Sequence, residues 1–217
     1  NGRVLLKVGG SINDIYARKV LAKDNQGFVN VSPSGGMNLE TVEPIYLGKT
    51  TPDFTMGWNN NFTYKNFGLS FLINARVGGI VTSSTQALLD RFGVSKASAD
   101  ARDAGGVMIP NQGLYDAKKY YTLVATGEND LAGYYTYSAT NVRLQELTLS
   151  YKFNSRLFNN VIKDLTLSFV ATNPWMIYCK APFDPELTAS TGTYGQGNDY
   201  FMQPSLKSYG FSVKFKF

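Results

Sequence analysis

Five stretches of this sequence alternate apolar and polar residues one by one, a pattern that leaves little choice of backbone. The final one, SYGFSVKFKF, sets Tyr209, Phe211, Val213, Phe215 and Phe217 on one side against Ser212, Lys214 and Lys216 on the other. A period of two means a β-strand with unlike faces. DFTMGWNNNFTY sets Phe54, Met56, Trp58, Phe62 and Tyr64 against Thr55, Gly57, Asn59, Asn61 and Thr63, with Asn60 the one defect. FGLSFLINARV sets Phe67, Leu69, Phe71, Ile73, Ala75 and Val77 against Gly68, Ser70, Asn74 and Arg76, spoiled by Leu72. LQELTLSYKF sets Leu147, Leu149, Tyr151 and Phe153 against Glu146, Thr148, Ser150 and Lys152. LTLSFVATN sets Leu165, Leu167, Phe169 and Ala171 against Thr166, Ser168 and Thr172, with Val170 out of phase. Each is close to the 9–11 residues or so of a tilted membrane-spanning strand. A further strand within residues 3–23 is poorly phased.

The connections carry as much information as the strands. Only Lys65 and Asn66 separate Tyr64 from Phe67, a tight hairpin, and the link from Phe153 to Leu165 is short. Long connections, about 78–142 and 174–208, alternate with these short ones. Short turns therefore share one end of the sheet and long loops the other, as in outer-membrane barrels with short periplasmic turns and long extracellular loops. Aromatics gather at the short-turn end (Phe62, Tyr64, Phe67, Tyr151, Phe153), where an interfacial girdle would sit. Cross-strand aromatic pairs in a soluble sandwich would use the same residues.

Composition narrows the function classes. Aromatics are abundant (14 Tyr, 14 Phe, 2 Trp) and charged residues are only 17% of the chain, below the usual quarter or so of a soluble domain. No run approaches the ~20 apolar residues of a spanning helix. The net charge of +5 comes from dispersed basic residues, so a nucleic-acid stripe is not expected. With no His, the common Ser–His–Asp triad is excluded, and Cys179 has no imidazole partner for thiol catalysis. No cofactor, metal site or enzymatic activity is expected. KDNQG (Lys23–Gly27) lacks the carboxylates of a calcium loop and reads as a turn. Asp184 and Glu186 flank Pro185 and read as a turn rather than as paired catalytic carboxylates.

These residues also resemble a known family. YLGKTTPDFTMGWNNNFTYKNFGLSFLINARVGG is similar to the C-terminal region of SusC-like TonB-dependent transporters of Bacteroidetes, in Gly48, Pro52-Asp53-Phe54, Asn59 to Asn61, Tyr64-Lys65-Asn66-Phe67 and Leu69 to Ile73. SATNVRLQELTLSYKF and LTLSFVATNPWMIYCKAPFDPE resemble later segments, with Asn173, Tyr178 and Asp184-Pro185-Glu186 in place. The resemblance implies an all-β fold, an antiparallel transmembrane β-barrel of about 22 strands, to which residues 1–217 would give the C-terminal part. It implies an N-terminal plug that this chain does not contain, energy from the TonB complex, and a SusD-like surface lipoprotein as lid. It further implies an outer-membrane location in the lipid bilayer and oligosaccharide, less often peptide, as cargo. The terminal alternating aromatics, Tyr209 to Phe217, would be the signal read by the barrel-assembly machinery.

Contacts to cargo or partner are expected from the long loops. A short helix is expected around Leu88, Leu89 and Phe92 in the first. In the second, Trp175, Tyr178, Tyr194, Tyr200 and Phe201 offer flat faces for sugar rings, or build the loop itself. Arg76 and Arg143 lie near the outer strand ends, and Arg76 is expected to line the passage. The alternative from a different class is a soluble extracellular β-sandwich that binds carbohydrate; it would bury Phe211 and Phe215 and expose Lys214 and Lys216.

Overall fold

The computed structural model describes residues 5–32, 35–127, 131–154, 164–187 and 196–216. The chain divides into two units, taken in turn below.

The sheet unit comprises Pro52–Gly78, Ala139–Pro185 and Gln203–Phe217. It is one antiparallel sheet of five strands: β3 (Phe54–Tyr64), β4 (Phe67–Val77), β9 (Asn141–Phe153), β10 (Asp164–Cys179) and β12 (Ser208–Lys216). Their spatial order is β12-β10-β9-β4-β3. The alternating stretches all fall in these strands, and the Lys65-Asn66 turn has Lys65 at φ +52°. Register aligns their apolar sides into continuous rows. Phe62, Leu69, Leu149, Phe169 and Phe211 form one row, and Tyr64, Phe67, Tyr151, Leu167 and Val213 the next. Neighbouring rings touch along this face: Phe67 and Tyr151 centroids are 4.7 Å apart, Phe169 and Phe211 5.5 Å.

Among the described residues, little covers that face. Phe62, Phe67, Leu149 and Val213 are exposed, and Phe211 reaches 78%. A sandwich core at Phe211 and Phe215 is therefore not what this sheet forms. The opposite rows are polar: Gly68, Ser150, Ser168 and Ser212 in one, Lys152, Thr166 and Lys214 in another. Leu72 and Val170, the misfits of the alternation, lie on this polar side. The sheet is open at both edges, β3 and β12.

Three register shifts extend the strands beyond what alternation reveals. Between Leu72↔Glu146 and Ile73↔Leu144 the β9 register slips by one, so Gln145 is the extra residue of a bulge. The slip returns Leu144 and Val142 to the apolar face and turns Arg143 to the polar one. On β10 the register shifts between Thr172 and Trp175, where Asn173 takes φ +49°, and again between Met176 and Tyr178.

The loop unit comprises Asn1–Thr51, Gly79–Ser138 and Glu186–Met202. The strand expected within 3–23 is β1 (Asp14–Leu21), but it does not join the five-stranded sheet. It pairs instead with β2 (Leu39–Lys49), whose periodicity is broken at Pro44 beside a register irregularity. The first long connection is folded rather than irregular. In order it contains β5 (Ile80–Ser83), α1 (Ser84–Arg91), α2 (Lys96–Asp103), β6 (Val107–Ile109), β7 (Gly113–Tyr115), α3 (Ala117–Gly127) and β8 (Thr136–Ser138). The expected helix is α1, capped by Ser83, whose hydroxyl accepts the Gln86 N–H at 3.0 Å. Phe92, its expected third apolar contact, is exposed past the helix end.

A small core of Met37, Ala87, Ile109, Tyr120, Val124, Ala125, Leu131 and Tyr135 holds the unit together. The second long connection joins it through β11 (Asn198–Asp199), parallel to β5, with Thr82↔Asn198 and Ser83↔Asp199. The buried Ser83 hydroxyl donates to Asp199 at 2.7 Å. Asp24 accepts the Gln26 and Phe28 amides, so KDNQG is a turn closed by its own carboxylate.

Candidate functional site on the polar face of the sheet

The polar face ends, where the long connections begin, in a buried cluster of side chains. Arg76 on β4, Asn141 on β9 and Cys179 on β10 share one row. Asn74, Arg143 and Met176 form the adjoining row. Asn141 is fully buried and Arg143 is 5% exposed. Nη2 of Arg143 meets Oδ1 of Asp184 at 2.7 Å, with side chains 6% and 8% exposed. Nη1 of Arg143 donates to the Ser205 hydroxyl at 3.2 Å, and the Ser205 amide donates to Asp184 Oδ2 at 3.4 Å. Three separate segments thus converge on one guanidinium: β9, the stretch after β10, and the stretch before β12.

Two buried opposite charges offset each other's desolvation only when their remaining hydrogen bonds are met, and Ser205 contributes to that. Nearby, the Cys179 thiol lies 3.4 Å from the Ala181 carbonyl and 3.6 Å from that of Phe183. Asn74 Nδ2 donates to Gln145 Oε1 at 3.1 Å, fixing the bulged residue. The arrangement positions charge and chain; it contains no nucleophile–base pair. Among the described residues no group of three His, Cys, Asp or Glu side chains could hold a metal ion.

The residues singled out from the sequence separate into groups. Arg76 lies on the polar face, in the cluster. Trp175 and Tyr178 stand in strand β10 rather than in the connection, because β10 runs on to Cys179. Register pairs them with Leu144 and Val142 on the apolar face, and Trp175 is 61% exposed there. Tyr200 and Phe201 are exposed in the loop unit, edge to face at 5.4 Å, with the Phe201 amide donating to Thr85 Oγ1 at 2.7 Å. Tyr194 and Phe217 lie outside the described residues. Tyr209, Phe211, Val213 and Phe215 line the exposed side of β12. Asp184 was read as a turn former, and its ionic role has no local signature because Arg143 is 41 positions away.

Sequence and fold comparisons agree with this geometry. The chain is 25% identical over 215 residues to TonB-dependent receptor P3 of Formosa agariphila, covering 96% of this chain and 21% of that protein. It is 24% identical over 195 residues to TonB-dependent receptor SusC of Bacteroides thetaiotaomicron, covering 83% and 18%. Its sequence is SusC-like. Among solved structures, the RagAB peptide importer in its open-open state matches 94% of the SusC-like chain and 22% of its own, at TM-score 0.63 and 17% identity. The closed-closed state of RagAB matches at TM-score 0.58 and 15% identity. No family model matches. The chain spans about a fifth of the length of the curated relatives it matches. These matches are receptors and importers, not enzymes.

Proposed function

We propose that this chain is the C-terminal barrel part of a TonB-dependent nutrient importer of the bacterial outer membrane. The observation that carries the reading is the uncovered apolar face, on which two rows of apolar and aromatic residues run unbroken from β3 to β12. A sheet with one dry face toward lipid and one polar face toward a wet lumen is how a membrane barrel satisfies both solvents. The open edges at β3 and β12 would pair with further strands of the same barrel, since lipid cannot satisfy free backbone groups. Likeness to TonB-dependent receptors supports coupling to the TonB complex through a plug, and a SusD-like lipoprotein lid over the loop unit.

The cargo proposed is an oligosaccharide, bound beneath the lid by exposed loop aromatics such as Tyr200 and Phe201 and then passed along the polar face. A peptide cargo is the second reading, favoured by the RagAB neighbours, which are named as peptide importers. The intact mass of the detergent-extracted outer-membrane protein, detected through β12, tests the barrel assignment. A chain several times heavier than 23.9 kDa is expected. A water-soluble species at that mass would overturn it in favour of the soluble carbohydrate-binding module. Thermal shifts of the purified importer with oligosaccharide and with peptide pools then separate the cargo classes.

A further inference from the structure

We infer that the two limbs of the β10–β12 connection that adjoin the sheet, residues 180–185 and 203–207, form a strap on its polar face, and that the Arg143–Asp184 pair is its lock. The outgoing limb leaves the sheet after Cys179, and the returning limb rejoins it before Ser208. The two limbs meet at one point: Asp184 on the outgoing limb and Ser205 on the returning limb both bind Arg143. Arg143 stands on β9, in the polar row between Asn74 and Met176, so the strap is tied to that face and not to the apolar one. Two further ties hold it. Asn173 Nδ2 donates to the Leu206 carbonyl at 3.2 Å, and the Cys179 thiol bonds to the Ala181 and Phe183 carbonyls.

Resting on the barrel reading, in which the polar face lines the lumen, the strap is an inward constriction at the outer end of the passage. The buried ion pair decides whether the limbs stay down, because removing either partner leaves an uncompensated buried charge. Arg143 is therefore a positioning residue: it shapes the wall that cargo passes and need not touch cargo.

The native thiol of Cys179 reports on the strap. In the full-length transporter, reconstituted in detergent, Cys179 is labelled with a polar maleimide and its peptide quantified by mass spectrometry. Asp184→Asn and Arg143→Met should each speed labelling about tenfold or more, while the barrel keeps its resistance to SDS below boiling. The charge swap, Arg143→Asp with Asp184→Arg, should return labelling to near the wild-type rate. Equal labelling in wild type and in both single variants, with the SDS-resistant barrel intact, would overturn the strap. Where the single variants fail to assemble, the swap decides: a folded swap with fast labelling overturns the proposal and one with slow labelling supports it. A wild-type protein lacking any SDS-resistant form would count against the barrel reading, separately from the lock.

Discussion

Tyr135 turns its hydroxyl inward to donate to the buried Asp90 at 3.0 Å, and Asp90 also accepts from Gln86. Burial first, then the neighbouring carboxylate, raises the Tyr135 pKa above the ordinary value of 10.0. Because the folded value lies above the unfolded one, the stabilisation is whole below pH 10. It is lost progressively as pH climbs from there toward the folded value. Tyr135→Phe should flatten this alkaline loss and remove part of the late-rising tyrosinate absorbance at 295 nm. At neutral pH it should cost about 1–2 kcal/mol, since Asp90 loses one donor, measurable as a lowered melting temperature of the loop unit.

Gly78 is a second residue whose chemistry is dictated locally. It leaves β4 at φ +80°, and a Cβ there would collide with the Asp53 carboxylate. Gly78→Ala combines left-handed strain of about 1–2 kcal/mol with that clash. Reduced yield of the SDS-resistant form, with Gly57→Ala as an uncrowded control in β3, is the expected outcome.

Among the elements, the bulges of β9 and β10 matter most, because register decides what each solvent meets. Deleting Gln145 would remove the bulge yet leave Leu144 and Val142 on the apolar face and Arg143 on the polar one, so only the local bend would be lost. Straightening β9 with Gln145 still in place would instead turn Arg143 to the apolar side, where on the proposed barrel reading an arginine facing lipid costs about 2–4 kcal/mol at mid-bilayer and less near its edges. The deletion should therefore retain the SDS-resistant form, as should Gln145→Ala, which keeps the residue count; loss of that form on deletion alone would show that the bend itself is needed. The same bulges explain what could be read in advance. The regular strands β3, β4 and β12 were visible because their phase never shifts: Asn60 and Leu72 are single misfits that leave the alternation on either side in step. The outer ends of β9 and β10 were hidden, since an inserted residue inverts the phase at Arg143 and again at Tyr178, and Asn173 breaks the run before Trp175. Pro44 hid β2 by removing a ladder donor. Helix α2, KASADARD, carries no apolar stripe to betray it, and its start rests on the Ser95 cap. The Arg143–Asp184 pair was out of reach for a different reason: only the folded chain brings the two residues together.

For the molecule as a whole, the exposed apolar face predicts a dependence on lipid or detergent that soluble sheets do not show. Replacing Phe211 and Phe215 together by Ser should leave the polar rows intact while weakening the lipid-facing band at an edge strand. On the barrel reading proposed above, the variant protein should accumulate unassembled outside the outer membrane, shown by fractionation and by loss of the slow-migrating folded band. Wild-type assembly of this variant would mean that β12 contributes neither recognition nor membrane affinity.

The parallel bridge between β5 and β11 has a consequence in time. The Ser83–Asp199 bond closes a loop of 116 residues, whereas the β3–β4 hairpin closes across two. Closure entropy rises with the logarithm of loop length, and contacts that are distant in sequence form slowly. The β3–β4 and β9–β10 pairs can therefore be in place before the two long connections find each other. The surface that carries Tyr200 and Phe201 is then the last to take shape in every newly made copy.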